Sequence, residues 1–506
     1  MNQTGNEALA NLNAVLRSLP PDMLAKATFG LPSTSTSPIN YYDLEAQAKI
    51  TVPEITPLIR MIPRVPGVGG TATNWDSVTA INTANLPMGV PSGTRAGVMD
   101  VNTTRNTATY VTVGLEASAD WQAEWAAQGF DNIRALMALN LLKAARIGEE
   151  QLVVGGNGTN ALGTSTTVTQ TGAITGGTLA AATYHVRAVA LTLAGYKRAS
   201  LTLGIPVTQA VVSGDGGTTT TMNAGSSIVS ADGTATVASG STGRIDCSWV
   251  AVPGAVAYAL FWGADATTNC NLGAIVTVNA YTITATVTAP SVGTGFAGAV
   301  GANFATDHSA NPYVFNGLIS FITKSGSGSY VASLDNVQLV TDDAGGCAQI
   351  NTALQAFWDT SRLSPDYMIM QSQQCVDLNN LIVKNGGAPL FRNVMDIGAG
   401  GLAGLVGGSS VAGYINKTAL GGGKVIKIIL HPDAPPGMIL FFTETIPYAT
   451  ANFSNILQLK AVREWFQTEW PMTTPKYQYG VYCNEVLQCY FPPAFGMIYN
   501  IKPGIA

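Results

Sequence analysis

The feature that most constrains this chain is a long stretch almost without charge. Between Thr164 and Val300 there are four basic residues (Arg187, Lys197, Arg198, Arg244) and four acidic ones (Asp215, Asp232, Asp246, Asp265). Thr, Ala, Gly, Val and Ser fill most of the remainder, and helical periodicity is absent. TYHVRAVALTLAGYKRAS, RIDCSWVAVPGAVAYALFWG and GAIVTVNAYTITATVT read as strands separated by Gly-rich turns, the pattern of a β-sandwich. Tyr184, Trp249 and Tyr258 are its candidate core aromatics. So little charge implies a domain that contributes no electrostatic specificity. The flanks GGNGTNALG and NPYVFNGLI read sensibly if joined directly, so residues 164–305 are expected to be an insertion.

A helix is predicted just before it, from Ser118 to Val154, within a segment 117–163. Ser118 is placed to cap it, with Glu116, Asp120 and Glu124 near its positive end and Lys143 and Arg146 in later turns. Trp121, Trp125, Phe130, Ile133, Met137, Leu141, Ala144 and Ile147 recur at helical spacing, and Gly129 is placed to bend or split the helix. At ~1.5 Å per residue the element would run about 54 Å, more than a compact domain needs.

Residues 1–65 read as an arm. A short helix is expected over Asn6 to Leu19, with Leu9, Leu12, Leu16 and Leu19 on one face and Pro20-Pro21 ending it. A proline-spaced extended segment closes with TPLIRMIPRVPG. Residues 66–116 read as a long hairpin with limbs TATNWDSVTAI and GVMDVNTTRNTATYVTVGLE and tip NTANLPMGVPSGTRA. A lone hairpin is marginal in water, so it needs a surface to lie on. Residues 306–506 mix strands and helices: a helix over Ala348 to Thr360, the strand DYMIMQS, the helix QCVDLNNLIVK, and strands in KVIKIILHP, GMILFFTETI, KYQYGVYCNEVLQCYF and AFGMIYNIK. The order indicates an α+β fold rather than a doubly wound sheet.

With 506 residues, several domains are expected. Only 11% of residues are charged and 55 are glycine, against about 25% charged in ordinary soluble domains. Surface of that kind suits coverage by repeated subunit contacts. The net charge of -5 argues against a dedicated nucleic-acid reader, but not against a container. The N-terminal residues do not resemble a secretory signal, and no apolar run of about 18 residues suggests a membrane span. Cytoplasmic assembly is therefore expected. Six cysteines make no disulfide framework. Cys483 and Cys489 would lie roughly 20 Å apart on one strand, and Cys247 and Cys270 are read as buried thiols.

The search for chemistry finds no catalytic, metal or cofactor set. His185, His308 and His431 lie in unrelated segments without metal-ligand spacing. GGGKV (Gly421 to Val425) lacks the Ser/Thr and glycine spacing of a phosphate loop. Asp433 and Glu444 read as solvated turn residues. Trp465, Phe466 and Trp470, with only Arg463 and Lys460 nearby, read as packing residues rather than base-stacking ones.

The order of arm, PLIRMIPRV segment, hairpin, long acidic-to-basic helix, GNGTNALG turn, FNGLI and PDYMIMQS-helix resembles major capsid proteins of tailed bacteriophages, with the Hong Kong 97-like fold. The closing VREWFQTEWPMTTPKYQYGVYCNEVLQCYFPPAFGMI is similar to that family's ending. The resemblance covers roughly residues 50–160 and 311–506 and rests on pattern and order, since the family has no invariant catalytic motif. It implies that the hairpin is the family's extended loop and the long helix the spine of the peripheral domain. Residues 306–506 would then supply the axial domain and the rest of the peripheral one. Arg60, Arg64, Trp75, Leu86, Pro87, Met88 and Arg95 would meet neighbouring subunits, and Trp121, Trp125, Ile133, Met137 and Leu141 would pack the spine. The implied function is an icosahedral head of hexamers and pentamers enclosing double-stranded DNA, without an enzymatic role or cofactor. Its partners would be copies of itself, a portal, a separate scaffolding protein and a cement protein. The insert resembles fibronectin type III or immunoglobulin-like modules, although its tyrosine strand precedes its tryptophan strand, as in a circular permutation. The resemblance implies a decoration on the outer face of the virion, with weak glycan contacts. Two rival readings are a tail-tube or baseplate protein, which the long helix disfavours, and a sugar-binding adhesin, which would need an export signal.

Overall fold

The backbone of Leu58 and Ile59 is tied to Glu150, and the strand that follows at Arg64 is tied to residues 459–461, far along the chain. The computed structural model describes residues 55–81, 89–98, 101–126, 132–214, 216–386, 391–394, 404–407, 411–419, 423–446, 455–472 and 474–505. Asn132 apart, these belong to one unit, Glu54–Ala126 with Ile133–Ala506. The expected helix over Asn6 to Leu19, Gly129 and the hairpin-tip residues Leu86, Pro87 and Met88 lie outside the described residues. Helix α1 (Pro57–Met61) opens with proline, whose fixed φ and missing N–H suit a first helical turn, and buries Leu58 and Ile59. Strand β1 (Arg64–Pro66) then runs parallel to β23 (Leu457–Glu469), with Arg64 opposite Leu459. β23 pairs with β24 (Lys476–Cys489), and β24 with β4 (Val111–Asp120), giving a four-stranded sheet in the order β1-β23-β24-β4.

β2 (Ala72–Ile81) and β3 (Val101–Thr109) form an antiparallel ribbon that joins no other sheet among the described residues. The second limb was expected to stay in the hairpin to Glu116. Instead the chain leaves at Tyr110, and β4 pairs with β24 from Val111 to Asp120. This pairing also corrects the helix start. Ser118 is a strand residue opposite Gln478 rather than a cap. Helix α2 (Trp121–Ala126) begins after Asp120, whose Oδ1 accepts the Gln122 amide at 3.2 Å. Helix α3 (Ile133–Gly155) follows. Glu124 and Arg134 link the two helices at 3.0 Å, and the Arg134 guanidinium lies 3.4 Å from the Tyr477 ring centre on β24.

The segment after α3 builds two sheets. β5 (Thr169–Ala173), β11 (Arg244–Ser248) and β14 (Ala280–Ile283) form one in the order β14-β11-β5. β6 (Ala182–Leu191), β10 (Gly233–Val237), β12 (Ala257–Gly263) and β13 (Cys270–Val276) form the other in the order β10-β6-β12-β13. Between the sheets lie Tyr184, Val186, Ile245, Trp249, Tyr258, Leu260 and Ile283. The strand expected to run on past Leu191 stops there, because the Thr192 side chain caps a short helix, α4 (Leu193–Arg198). The outer face of β6 and β12 is covered too, by Ile205, Val300 and Phe304 against Val189, Ala259 and Phe261. That second cover explains why β12, AYALFWG, is buried along nearly its whole length instead of alternating. Strands β7 (Ile205–Pro206) and β15 (Phe296–Ala297) pair within that cover, and β8 (Thr208–Val212) and β9 (Thr219–Asn223) make a separate hairpin.

Helix α5 (Leu318–Thr323) returns the chain to α3. The last third forms a mixed six-stranded sheet from β16 (Tyr330–Ser333), β17 (Tyr367–Met370), β20 (Gly413–Asn416), β21 (Lys424–Leu430), β22 (Ile439–Phe442) and β25 (Gly496–Tyr499), in the order β16-β25-β22-β17-β21-β20. Met368, Ile439, Phe441 and Ile498 face helices α6 (Ala348–Ser361) and α7 (Ser372–Gly386). Their neighbours Ile369, Leu440, Phe442 and Met497 face the core shared with α3 and α5. Cover on both sides explains the continuous apolar runs YMIM, ILFF and GMIY. Strands β18 (Phe391–Val394) and β19 (Gly404–Gly407) form a further pair. The fold is mixed α+β.

Candidate functional site

Where α3 passes under the four-stranded sheet, three carboxylates are buried together. Glu149 and Glu150 lie in the C-terminal half of the helix and Glu485 on β24, all fully buried. Glu150 accepts the Leu58 and Ile59 amides of α1 at 2.7 and 2.9 Å, which are first-turn donors with no intrahelical partner. It also meets His431 Nε2 at 2.6 Å. The Asp433 amide donates to His431 Nδ1 at 3.0 Å, so the Nε2 side of the ring carries the proton that reaches Glu150. Glu149 is bound by Trp465 Nε1 at 3.1 Å and by Arg64. The other arm of the Arg64 fork reaches Glu485 at 3.0 Å. Burial first, then the charge of Glu149, pushes the Glu485 carboxyl up to about 7 against the opposing pull of Arg64. Arg64 is itself held above its ordinary value: burial opposes this, but Glu149 and Glu485 outweigh it. Burial, then the Glu485 charge, pushes the Cys483 thiol up.

The opposite character appears on the ribbon and the first helical turns. Beyond Trp75 the described ribbon side chains are largely exposed, including Arg105 and its partner Asp76 at 3.0 Å. Trp121 and Trp125 stand out at 39% and 64% exposure, their ring centres 4.9 Å apart. Leu115, Leu139 and Leu142 are exposed as well.

A third feature is the junction of the charge-poor segment. Its entry and exit are stitched together by asparagines. Asn316 Oδ1 accepts the Gly158 and Thr159 amides at 2.8 and 3.1 Å, and Asn160 Nδ2 donates to Ser320 O at 2.6 Å. The Asn311 amide donates to Asn157 O at 2.9 Å and the Gly317 amide to Gly156 O at 2.8 Å. A Cβ on Gly156 would lie 2.5 Å from Phe315 O, so the approach of the two segments demands glycine there. Further out, Lys197 pairs with Asp433, which also accepts from Gln151 at 3.3 Å. Asn279 Nδ2 reaches Asp335 at 2.8 Å, and Gln478 Nε2 reaches Gly214 O at 3.3 Å.

The sequence-predicted residues therefore divide. Arg60 and Arg95 are exposed. Two expected interface residues are corrected. Trp75 is buried in the chain's own core, with Nε1 donating to Cys489 O at 2.7 Å, and Arg64 is engaged by the internal carboxylates. The spine residues are corrected in part. Leu141 is buried, Ile133 and Met137 are half-buried, and Trp121 and Trp125 are exposed because β4 carries the chain to the surface before the helix begins. Tyr184, Trp249 and Tyr258 lie between the two sheets, with Trp249 edge-on to Tyr258 at 5.3 Å and the Tyr258 hydroxyl accepting the Val252 amide at 2.9 Å. Asp433 is no solvated turn residue, since its side chain is 13% exposed and bonded to Lys197. That pair also shows the charge-poor segment making a specific ionic contact. Glu149, Glu150 and His431 were missed as a group. All six cysteines are free thiols. Among the described residues no group of three His, Cys, Asp or Glu side chains could hold a metal, and no helix is long and apolar enough to cross a membrane.

No family model matches the chain, and no curated protein matches it. Solved structures give distant likenesses that run along most of both chains. The capsid asymmetric unit of cyanophage A-1(L) is similar with 8% identity and a TM-score of 0.44, over 92% of this chain and 98% of that one. The capsid of Myoviridae phage XM1 is similar with 7% identity and a TM-score of 0.38, over 90% and 96%. The holo-SrpI encapsulin complex from Synechococcus elongatus PCC 7942 is similar with 10% identity and a TM-score of 0.35, over 90% and 92%.

Proposed function

We propose that this chain is a shell subunit, the major capsid protein of a tailed phage. In this reading it assembles as hexamers and pentamers around double-stranded DNA, with no enzymatic role. The observation that carries the proposal is the β2–β3 ribbon, which pairs with no other strand among the described residues and bears exposed side chains beyond Trp75. A two-stranded ribbon is marginal in water, so it is best stabilised by lying on a neighbouring copy. Exposed Trp121, Trp125, Leu139 and Leu142 add apolar surface of the kind subunit contacts cover. Many modest apolar contacts, repeated over a closed lattice, sum to a stable shell. Residues 164–305 are read as an inserted immunoglobulin-like module, supported by the stitched entry and exit and by two sheets around one core. Portal, scaffolding and cement proteins would be the other partners, and the insert would meet glycans weakly at the outer face.

Replacing residues 82–96 by a short turn tests the interface. The shortened protein should remain folded and soluble while closed shells disappear from negative-stain micrographs. Normal particles from that variant would overturn the reading.

A further inference from the structure

Two exposed surfaces of this chain are opposite in chemistry. The first lies where β4 runs into α2. Trp121 and Trp125 stand exposed there with ring centres 4.9 Å apart and planes at 48°, and Leu115 on the strand leading in is exposed too. From Leu115 to Ala126 every charged residue is acidic: Glu116, Asp120 and Glu124. Glu116 is held by the Tyr482 hydroxyl and Glu124 by Arg134. Asp120 uses only Oδ1, on the Gln122 amide. Lys476, opposite it on β24, makes no ion pair with it among the described residues. The second surface is the segment 89–98 at the far end of the ribbon. Its ten residues are all exposed, Val98 at 90%. Arg95 is the only charged residue between Asp76 and Asp100, and no described residue bonds to its guanidinium.

We propose that Trp121, Trp125 and Asp120 form the seat for Arg95 of a second copy of this chain. The inference rests on the shell reading and names the surface of the neighbour that receives the far end of the ribbon. A lone cation on an otherwise uncharged loop matches an aromatic pair rimmed by carboxylates. The planar guanidinium stacks on an indole face while its N–H groups donate to a carboxylate, a combination that a lysine ammonium reproduces poorly. Val90 and Val98 beside Arg95 are exposed and meet the apolar part of the seat.

The occupant is another copy and not the same chain. The nine residues of β3 and the ten of β4 lie between segment 89–98 and Trp121. At ~3.3 Å per residue that is about 60 Å of strand. A reversal at Tyr110 would bring the two ends together by pairing β3 with β4, but β3 pairs with β2 and β4 with β24. A contact that joins one part of a subunit to a different part of the next is heterologous, and repeated with a closing rotation it makes rings.

Cross-linking of full chains tests the contact. One preparation carries Ala96→Cys, beside Arg95, and another Gln122→Cys, beside the indoles; both positions are exposed. Five of the six native thiols are buried and Cys375 is half-buried, so singly substituted chains measure the background. Mixed, assembled and treated with a short bismaleimide, the two preparations should give a two-chain band on a denaturing gel that neither gives alone. Particles without that band would overturn the contact and leave the shell reading standing. A wild type that stays monomeric would overturn both. In a second measurement, Arg95→Glu should raise the protein concentration needed for assembly about tenfold, and Arg95→Lys should raise it less. Equal assembly by the wild type and Arg95→Glu would also overturn the contact.

Discussion

Arg64 illustrates how one side chain ties together segments that no local pattern connects. Its guanidinium reaches Glu149, 85 positions away, and Glu485, 421 positions away. Lysine presents a single ammonium and cannot span both carboxylates as the planar fork does. Arg64→Lys should therefore lose one charge-assisted bond, about 1–3 kcal/mol, read as a lower urea midpoint with an unchanged slope. Arg64→Met leaves two buried carboxylates without a cation and should cost more, about 3–5 kcal/mol. Equal midpoints for the two variants would mean that only the side-chain stem matters. The group was illegible in sequence for a physical reason. Glu149 and Glu150 look like the solvated face of an exposed helix, and what buries them arrives from Arg64, Trp465, Glu485 and His431. Tyr184, Trp249 and Tyr258 were legible because bulky aromatics within alternating strands have few places to go except between sheets.

At the scale of elements, existence was easier to read than boundaries. Helix α6 was expected over Ala348 to Thr360 and spans Ala348–Ser361, since Ile350, Leu354 and Phe357 make an apolar stripe that only a helix aligns. The helix expected from Ser118 fails in its first turn because β24 offers β4 a complete set of backbone partners up to Asp120. Tertiary pairing outweighs local capping preference there, and the cap moves two residues to Asp120. The result leaves Trp121 and Trp125 at the surface, where their burial in a neighbour would matter and their contribution to the monomer is small. Replacing both by Ser should change thermal stability of the unassembled chain by less than about 1 kcal/mol. On the proposed shell reading, the wild type should sediment as large species and the same variant chiefly as small ones. Unaltered sedimentation would remove this surface from the interface.

Across the whole molecule, the charge-poor segment, proposed above to be an inserted module, is also braced against the rest of the chain, and insertion and bracing predict different consequences of deleting it. The asparagine stitches at Asn157, Asn160 and Asn316 bring Gly163 and Thr306 out of the same junction, so joining them through a short Gly-Ser linker should let the remaining chain fold. The braces argue that it will fold less stably. Leu193 is 3% exposed and belongs to the same core as Val153, Leu318 and Phe495, so its loss uncovers apolar surface worth roughly 1.5–3 kcal/mol. Asp433 loses Lys197, a partly buried pair contributing up to about 1 kcal/mol. Asp335 and Gln478 lose their partners on the insert as well. The deletion should therefore lower unfolding stability by about 2–4 kcal/mol while leaving the far-ultraviolet signature of the six-stranded sheet and its helices in place. A freely tethered decoration would instead leave the urea midpoint of the remaining chain unchanged, and a structural prop would prevent folding altogether. The midpoint thus separates three roles for the insert, and the contacts of Leu193, Lys197, Asn279 and Gly214 favour the intermediate one.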